Sequence, residues 1–311
     1  MLLFWILFIL FALGMLVLDL RVFHRPGRGG SFRAALGLSA MYVALAAVFF
    51  GILFQWQGRQ IALEFAAGYL LEVSLSVDNL FLFLVIFNYF AVPEQQQHRV
   101  LFWGVIGALV MRLLFILAGV ELLNRFHWIL YAFGVLLIYS GIQLGFSGRH
   151  KVNPASNPLV KALRRIMPVT PDYRGGKFLV RDPATALLAA TPLLVVLLVI
   201  ETSDLLFAVD SIPAVLAITL NAFVVFTSNV FAILGLRSMY FAVSGLMQVF
   251  RFLPKGLAFM LILVGIKMLA SDYYRVSTPI TLAVMGSVLL ISILASLVPE
   301  SGKHESKGKR S

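Results

Sequence analysis

Two apolar stretches of the sequence each carry two acidic residues six positions apart, in closely matching contexts. The first stretch contains Glu72 and Asp78, and the second contains Asp204 and Asp210. An acid at the centre of a membrane helix costs about 2.5–3.5 kcal/mol on insertion scales, so acids at such positions usually serve a function. Carboxylate oxygens suit hard cations such as Mn²⁺, Ca²⁺ and Mg²⁺, and cation binding is therefore the first hypothesis.

Other oxygen-bearing side chains accompany these acids. The candidate metal ligands are Glu72, Asp78, Asp204, Asp210, Glu201, Asn79 and Asn229, with nearby hydroxyls at Ser76, Thr202, Ser211, Thr227 and Ser228. The chain has no Cys, and its five His residues fall in or beside predicted loops, so Cu⁺ and Zn²⁺ are disfavoured. These residue types leave the ion open among Mn²⁺, Ca²⁺ and Mg²⁺.

The competing interpretation of the acids is that they are buried as ion pairs. Arg112, Arg237 and Lys267 also lie in apolar stretches and could neutralise three carboxylates. For Arg112 and Arg237, charge pairing is the favoured interpretation, and Glu201 suits a partner of Arg237 as well as a metal ligand. Two of the five carboxylates would still need a proton or a cation, as in transporters and proton pathways.

The composition places these acids inside a membrane protein. Of the 311 residues, 60% are hydrophobic and 13% are charged, whereas soluble domains are about 45–50% apolar and about 25% charged. The N-terminal run has no basic leader, so it is expected to stay as the first helix. Nine apolar runs predict membrane-crossing helices at about 2–20, 33–54, 61–88, 101–120, 128–147, 184–217, 221–245, 256–271 and 280–298. We therefore predict an all-α, polytopic transmembrane helical bundle, with one transmembrane domain over residues 1–300 and a disordered basic tail over 301–311.

The Lys and Arg residues predict how the chain is oriented. With the N-terminus outside, 19 of the 25 Lys and Arg residues fall in segments predicted inside, and only Arg59, Arg125 and Arg275 fall outside. This distribution satisfies the positive-inside rule and predicts an N-out, C-in topology. The net charge of +11 thus reflects topology, and no nucleic-acid partner is expected.

The cytoplasmic loop 148–182 holds eight of the basic residues. The favoured interpretation of this loop is a solvated connector. The alternative is a short amphipathic helix at Lys161–Met167, lying at the lipid surface.

The two acid motifs predict an internal repeat. They are offset by 132 residues, and the apolar run after each motif carries one arginine, Arg112 or Arg237. The third span runs from outside to inside and the sixth runs from inside to outside, so the repeat halves, about 33–120 and 128–245, are inverted. Inverted repeats around a midplane site are a recurring design of secondary transporters.

Helix geometry restricts how the acids can act. Residues six apart on a regular helix differ by about 120° in direction and about 9 Å in height, so they cannot chelate one ion. Two arrangements avoid this restriction. The helices could break near Val77–Asn79 and near Asp210–Pro213, or the two helices could each contribute one acid to a shared site.

Three segments of the sequence resemble the TerC/Alx family of bacterial membrane proteins. They read SVDNL at 76–80, ETSDLLFAVDSIPA at 201–214 and FTSNVFAILGLRS at 226–238. The resemblance covers about Ile6 to Leu297 and implies a multi-pass protein of the bacterial inner membrane that exports manganese. It also implies that the four motif acids handle the metal, with Asn79, Glu201 and Asn229 as helpers. The family name suggests tellurium resistance, but a carboxylate cluster repels oxyanions.

We therefore expect a transporter and not an enzyme. It would export Mn²⁺ by alternating access, possess no permanently bound cofactor, and couple export to proton entry through the same carboxylates. Its expected partners are the divalent ion, the lipid bilayer and, as a candidate, the secretion machinery. The alternatives are a non-transporting factor in protein biogenesis or in metal delivery to exported proteins, and a tellurium-resistance factor of another mechanism.

Overall fold

The structure is a computed structural model that describes residues 2–23, 32–147, 157–181, 187–243, 252–274 and 276–297. These residues form ten α-helices and a two-stranded antiparallel sheet of β1 (Leu179–Arg181) and β2 (Leu188–Ala190). The helices are α1 Leu2–Phe23, α2 Phe32–Trp56, α3 Arg59–Tyr89, α4 Glu94–Arg125, α5 Ile129–Ser147, α6 Pro158–Ile166, α7 Pro192–Leu216, α8 Ala222–Val243, α9 Leu253–Leu269 and α10 Thr278–Leu297.

Each of the nine predicted spans corresponds to one long helix. Within the described ranges, six helices are long and apolar enough to cross a membrane, namely α2, α3, α4, α5, α7 and α10. The predicted all-α, polytopic membrane fold is therefore confirmed. The count of nine crossings and the N-out, C-in orientation stay predictions, and the tail 301–311 lies outside the described residues.

The predicted helix breaks are wrong. Helix α3 continues through Val77–Asn79, and α7 is continuous from Pro192 to Leu216. Pro192 occupies the first turn, where a missing N–H breaks no helical hydrogen bond. Pro213 lies in the last turn, so its missing bond affects only the end of the helix.

The predicted start of the sixth span at residue 184 is also wrong. Helix α7 begins eight residues later, because Leu188–Ala190 pairs with β1 as a strand. Thr191 is extended and lies just before the helix. Its hydroxyl donates to the carbonyl of Lys177 at 2.7 Å, which ties the sheet to the start of α7.

Helices α3, α4, α7 and α8 form the centre of the bundle, and both α3 and α4 contact both α7 and α8. Helices α4 and α7 run in the same direction. A Cβ atom added at Gly104 would lie 3.4 Å from Ile200, and one at Gly119 would lie 2.8 Å from Leu216. Later residues of α4 thus meet later residues of α7.

The two acid-bearing helices run in opposite directions. A Cβ atom at Gly68 of α3 would lie 3.3 Å from Val215 of α7. One turn later in α3, Glu72 is joined through Arg112 to Asp204, three turns earlier in α7. This antiparallel arrangement is what the inverted repeat predicts for the third and sixth spans.

Part of the loop 148–182 is folded and is more than a solvated connector. Asn157 caps helix α6 by accepting a hydrogen bond from the backbone N–H of Leu159 at 2.9 Å. Val160 is buried, and Leu163 packs against the same apolar cluster as the C-terminal half of α3. The short helix given as the alternative at Lys161–Met167 is therefore present, over Pro158–Ile166, and its position at the lipid surface stays a prediction. Residues 148–156 and 182 lie outside the described ranges.

Hydrogen bonds attach this folded segment to the turn between α3 and α4. The hydroxyl of Tyr173 donates to the carbonyl of Phe90 at 2.6 Å, and Arg99 Nη1 donates to the carbonyl of Gly176 at 3.0 Å. Both bonds connect residues far apart in the sequence. The segment is thus fixed over the ends of α3, α4 and α7.

Helices α5 and α9 make the most extensive helix contact, and glycine permits it. A Cβ atom at Gly134 would lie 3.0 Å from the carbonyl oxygen of Gly265, and one at Gly141 would lie 2.7 Å from that of Ala258. Small residues allow this close backbone approach, which is the usual basis of helix packing in membranes.

Replacing Gly141 with Ala should push α5 and α9 apart, because the new methyl group would lie 2.7 Å from the backbone oxygen of Ala258 and equally close to the Ile262 side chain. We expect Gly141→Ala to lower the free energy of unfolding by about 1–3 kcal/mol. Thermal unfolding in detergent, followed by the fluorescence of the four Trp residues, measures this. Gly51→Ala is the matched control, because nothing lies within 4 Å of its added Cβ atom. Equal shifts for both variants would contradict the packing argument.

Candidate functional site

Four buried polar residues from four helices meet near the middle of the bundle. They are Glu72 of α3, Arg112 of α4, Asp204 of α7 and Asn229 of α8, and each is at most 5% exposed. We call these four residues the central cluster. Each lies well inside its helix, several turns from either end in the first three cases.

Arg112 holds the central cluster together. Its Nη1 donates to Glu72 Oε2 at 2.6 Å and to Asn229 Oδ1 at 2.8 Å. Its Nη2 and Nε donate to the two oxygens of Asp204 at 3.2 and 3.4 Å. Asn229 Nδ2 completes the network by donating to Glu72 Oε1 at 2.7 Å. All four carboxylate oxygens thus accept a hydrogen bond, as buried charges require.

The central cluster contains more negative than positive charge. Glu72 and Asp204 contribute −1 each and Arg112 contributes +1, which gives a formal charge of −1. Arg112 nevertheless weakens the attraction of the cluster for a divalent cation. At about 4 Å and an effective dielectric constant of about 20, a doubly charged ion would be repelled from Arg112 by roughly 8 kcal/mol, which offsets the attraction to one of the two carboxylates. Moving Arg112 away would therefore strengthen the binding of such an ion to both carboxylates.

The two acids of the central cluster are equivalent in the internal repeat. Glu72 is the first acid of its motif and Asp204 is the first acid of the other. Of the two predicted arrangements, sharing between helices is thus the one observed, and the shared partner is Arg112. Arg112, predicted as a charge-pairing residue, forms ion pairs with both.

The second acids of the two motifs lie on opposite sides of the central cluster. Asp78 is six residues beyond Glu72 in α3, and Asp210 is six residues beyond Asp204 in α7. Because α3 and α7 are antiparallel, these steps of about 9 Å point in opposite directions. The motif acids are therefore arranged along the bundle axis, although the side chain of Asp78 is not among those described.

Asp210 has a partner that the sequence did not indicate. Its Oδ1 accepts a hydrogen bond from Ser140 Oγ of α5 at 2.7 Å. Ser140 is one of several polar residues in an apolar run, so only its tertiary position reveals this role.

The buried serines near the acids fall into two pairs, one with hydrogen-bonded hydroxyls and one without. Ser74 and Ser203 donate to the carbonyl four residues earlier, as serine often does in membrane helices. The hydroxyls of Ser76 and Ser211 have no hydrogen-bond partner among the described residues. Unsatisfied buried oxygens beside carboxylates are suited to act as cation ligands.

The other hydroxyl candidates are already satisfied. Thr202, Thr227 and Ser228 donate to backbone carbonyls of their own helices. Their hydrogens are thus already placed, while their oxygen lone pairs stay open to a cation. The amide candidate Asn79 lies one position beyond Asp78 in α3, and it is only 2% exposed.

Glu201 lies beside the central cluster without belonging to it. It is half-buried, three residues before Asp204, and rests on Gly107 of α4, where an added Cβ atom would lie 2.1 Å from its Oε1. It forms no ion pair with any residue that the structure describes. Its predicted pairing with Arg237 stays a prediction, because the side chain of Arg237 lies outside the described part.

Those predicted metal ligands whose side chains the structure describes are not assembled as one chelate. Among the described residues, no group of three or more His, Asp or Glu side chains is placed to hold a metal ion. Two of the acids are held by Arg112, and the others lie along the axis. The assignment of the seven residues to metal binding therefore stays a prediction, and a compact site would require movement.

Comparison with known proteins places this arrangement in a family. The sequence profile described as the Integral membrane protein TerC family matches residues 57–304. An uncharacterized membrane protein of Myxococcus xanthus is 47% identical over 295 residues, covering 94% of this chain and 92% of that protein. A proposed membrane-bound redox modulator, Alx, of Escherichia coli strain K12 is 41% identical over 289 residues, covering 90% and 89%. No solved structure matches.

The central cluster predicts unequal costs for removing its charges. Arg112→Gln leaves two buried carboxylates without a counter-ion and should lower the free energy of unfolding by about 3–5 kcal/mol. Glu72→Gln should cost less, because Arg112 still pairs with Asp204. Thermal unfolding of the purified variants measures both.

The control for these variants is the exposed pair of Arg125 and Glu121 on the same helix. Arg125→Gln should cost less than about 1 kcal/mol. If Arg112→Gln were as mild as Arg125→Gln, the central cluster would not be what joins the four helices.

Proposed function

This chain belongs to the TerC family of integral membrane proteins, and we propose that it exports divalent metal ions from the cytoplasm, with Mn²⁺ as the leading candidate. The proposal places it in the bacterial inner membrane. It rests on one observation above all. The equivalent acids of two antiparallel motifs meet in mid-bundle, with a formal excess of negative charge.

Buried carboxylates support ion transport because they are costly in a membrane. Intramembrane acids usually line substrate, ion or proton pathways. Here the motif acids follow the bundle axis, with the Ser76 and Ser211 hydroxyls among them. This order suits an ion that passes from one pair of oxygens to the next more than it suits a permanently bound metal.

The ligand chemistry supports hard cations. Carboxylate, hydroxyl and amide oxygens suit Mn²⁺, Mg²⁺ and Ca²⁺, and the chain offers no thiolate. The choice of Mn²⁺ comes from the family resemblance, since the ligand types alone do not separate the three ions. An oxyanion of tellurium would be repelled by the same carboxylates.

Alternating access describes the order in which the acids would bind the ion. With the predicted topology, Asp78 lies in the cytoplasmic half of α3 and Asp210 in the outer half of α7. The ion would reach Asp78 first, bind at the central acids, and leave past Asp210 as the two repeat halves rock. Proton entry could drive export, because carboxylates bind protons and metal ions competitively.

A second candidate is a non-transporting factor that docks a partner, such as the secretion machinery. The folded segment 157–181 favours this candidate, because it presents exposed basic side chains at Lys161, Arg164 and Arg165. The relatives' name suggests redox modulation, but this chain has no Cys and therefore no thiol redox chemistry.

Removing either outer acid should abolish export. We expect Asp78→Asn and Asp210→Asn to reduce Mn²⁺ transport in proteoliposomes at least about tenfold, since an amide does not neutralise a cation. An internal Mn²⁺-sensitive dye measures the rate. Asp272→Asn, an exposed acid beside His127, is the control and should transport normally. Normal transport by both motif variants would refute the site assignment.

Neutralising helix α6 separates the two candidates. The triple variant Lys161→Gln, Arg164→Gln, Arg165→Gln removes three exposed charges without touching the central cluster. A transporter should keep most of its Mn²⁺ efflux, measured in the same proteoliposomes. A docking factor should show no Mn²⁺ efflux in either form and should lose co-purification of its partner.

A further inference from the structure

We propose that Arg112 is a built-in counter-cation that the transported ion displaces, and that Glu201 is the acid that receives Arg112 when it leaves. This inference rests on the proposed function and deepens it. It gives Arg112 a place in the transport cycle, and it gives Glu201 a role other than metal binding.

The first argument is competition for the same oxygens. Both oxygens of Asp204 accept from Arg112, and both oxygens of Glu72 accept from Arg112 or Asn229. A cation that binds both carboxylates on the side now turned toward Arg112 must break the bonds to Arg112. Arg112 and a divalent ion therefore compete for the space between the two carboxylates.

The second argument is charge balance. Glu72 and Asp204 together carry −2, which matches one divalent ion. With Arg112 on the carboxylates, most of that charge is compensated in the absence of any metal ion. The two carboxylates thus always have a counter-ion inside the membrane, where an uncompensated charge is costly.

The third argument is that Glu201 lies within reach. It is three residues before Asp204 in α7, which is a displacement of about 4.5 Å along the helix axis. It rests on Gly107, one and a half turns before Arg112 on the parallel helix α4. Because Arg112 already bonds to Asp204, Glu201 is less than one turn away from its present acceptor on the same helix.

The fourth argument is that Glu201 is available. It forms no ion pair with any described residue, in contrast to Glu72 and Asp204. Gly107 leaves open the space over α4 that the Glu201 carboxylate occupies, since a side chain there would collide with it. A carboxyl group without an ion-pair partner among the described residues, within one turn of the Asp204 that holds Arg112, provides a second acceptor for that arginine.

The test is the stabilisation of full-length variants by MnCl₂, measured as thermal unfolding in detergent. If Mn²⁺ replaces Arg112, the Arg112→Gln variant should be stabilised at Mn²⁺ concentrations at least about tenfold lower than the wild type. Glu201→Gln should need higher concentrations than the wild type, because displaced Arg112 has lost its acceptor. Arg125→Gln, on the same helix, should respond like the wild type. Equal Mn²⁺ responses of Arg112→Gln and the wild type would overturn the proposal.

Arg112→Lys keeps the proposal testable if Arg112→Gln does not fold. Lysine keeps the charge but cannot donate the paired bonds that hold Asp204. Mn²⁺ should displace it at concentrations between those for the wild type and for Arg112→Gln. A response identical to the wild type would count against displacement.

Transport assays separate this inference from the proposed function. In proteoliposomes, Arg112→Gln should keep Mn²⁺/Mn²⁺ exchange, because the ion neutralises the acids in both directions. Net export should fall at least about tenfold, because the transporter would have to return without an ion while Glu72 and Asp204 have no counter-ion. A folded variant that loses both activities would refute the counter-cation role alone. A wild type without exchange or net export would refute the proposed function, while the MnCl₂ response would still decide displacement.

Discussion

The guanidinium group of Arg112 connects the two halves of this protein. It lies in α4 and bonds to α3, α7 and α8, and these four helices form the centre of the bundle. A buried arginine is stable only with paired carboxylates, and buried carboxylates are stable only with a counter-ion. The position of each of the four helices is therefore tied to the same set of charges.

The antiparallel directions of α3 and α7, as the predicted inverted repeat requires, place the acids around this group. The antiparallel helices α3 and α7 bring Glu72 and Asp204 to the same height, which six-residue spacing within one helix could not do. The same inversion sends Asp78 and Asp210 in opposite directions along the axis. The duplication thus yields a central pair and two flanking acids, an arrangement that suits movement through the bundle more than permanent binding.

Close helix packing supports this arrangement. Gly104, Gly107 and Gly119 line the side of α4 that meets α7, so the side chains of Ile200, Glu201 and Leu216 pack directly against the α4 backbone. Gly107 also leaves the space in which Glu201 lies. Small residues along one helix face thus determine both the packing and the position of an acid beside the central cluster.

The sequence by itself determined the helices and the chemical type of the site. Long apolar runs predicted the nine long helices, because a bilayer requires about 20 apolar residues per crossing. The paired motifs predicted the buried acids and their antiparallel directions. The tertiary structure alone decided that α3 and α7 are unbroken, that Arg112 joins the first acids, that Ser140 bonds to Asp210, and that residues 157–181 fold over the helix ends. Periodicity and charge describe each helix separately, whereas these pairings depend on which helix faces meet, and that depends on contacts between residues distant in the chain.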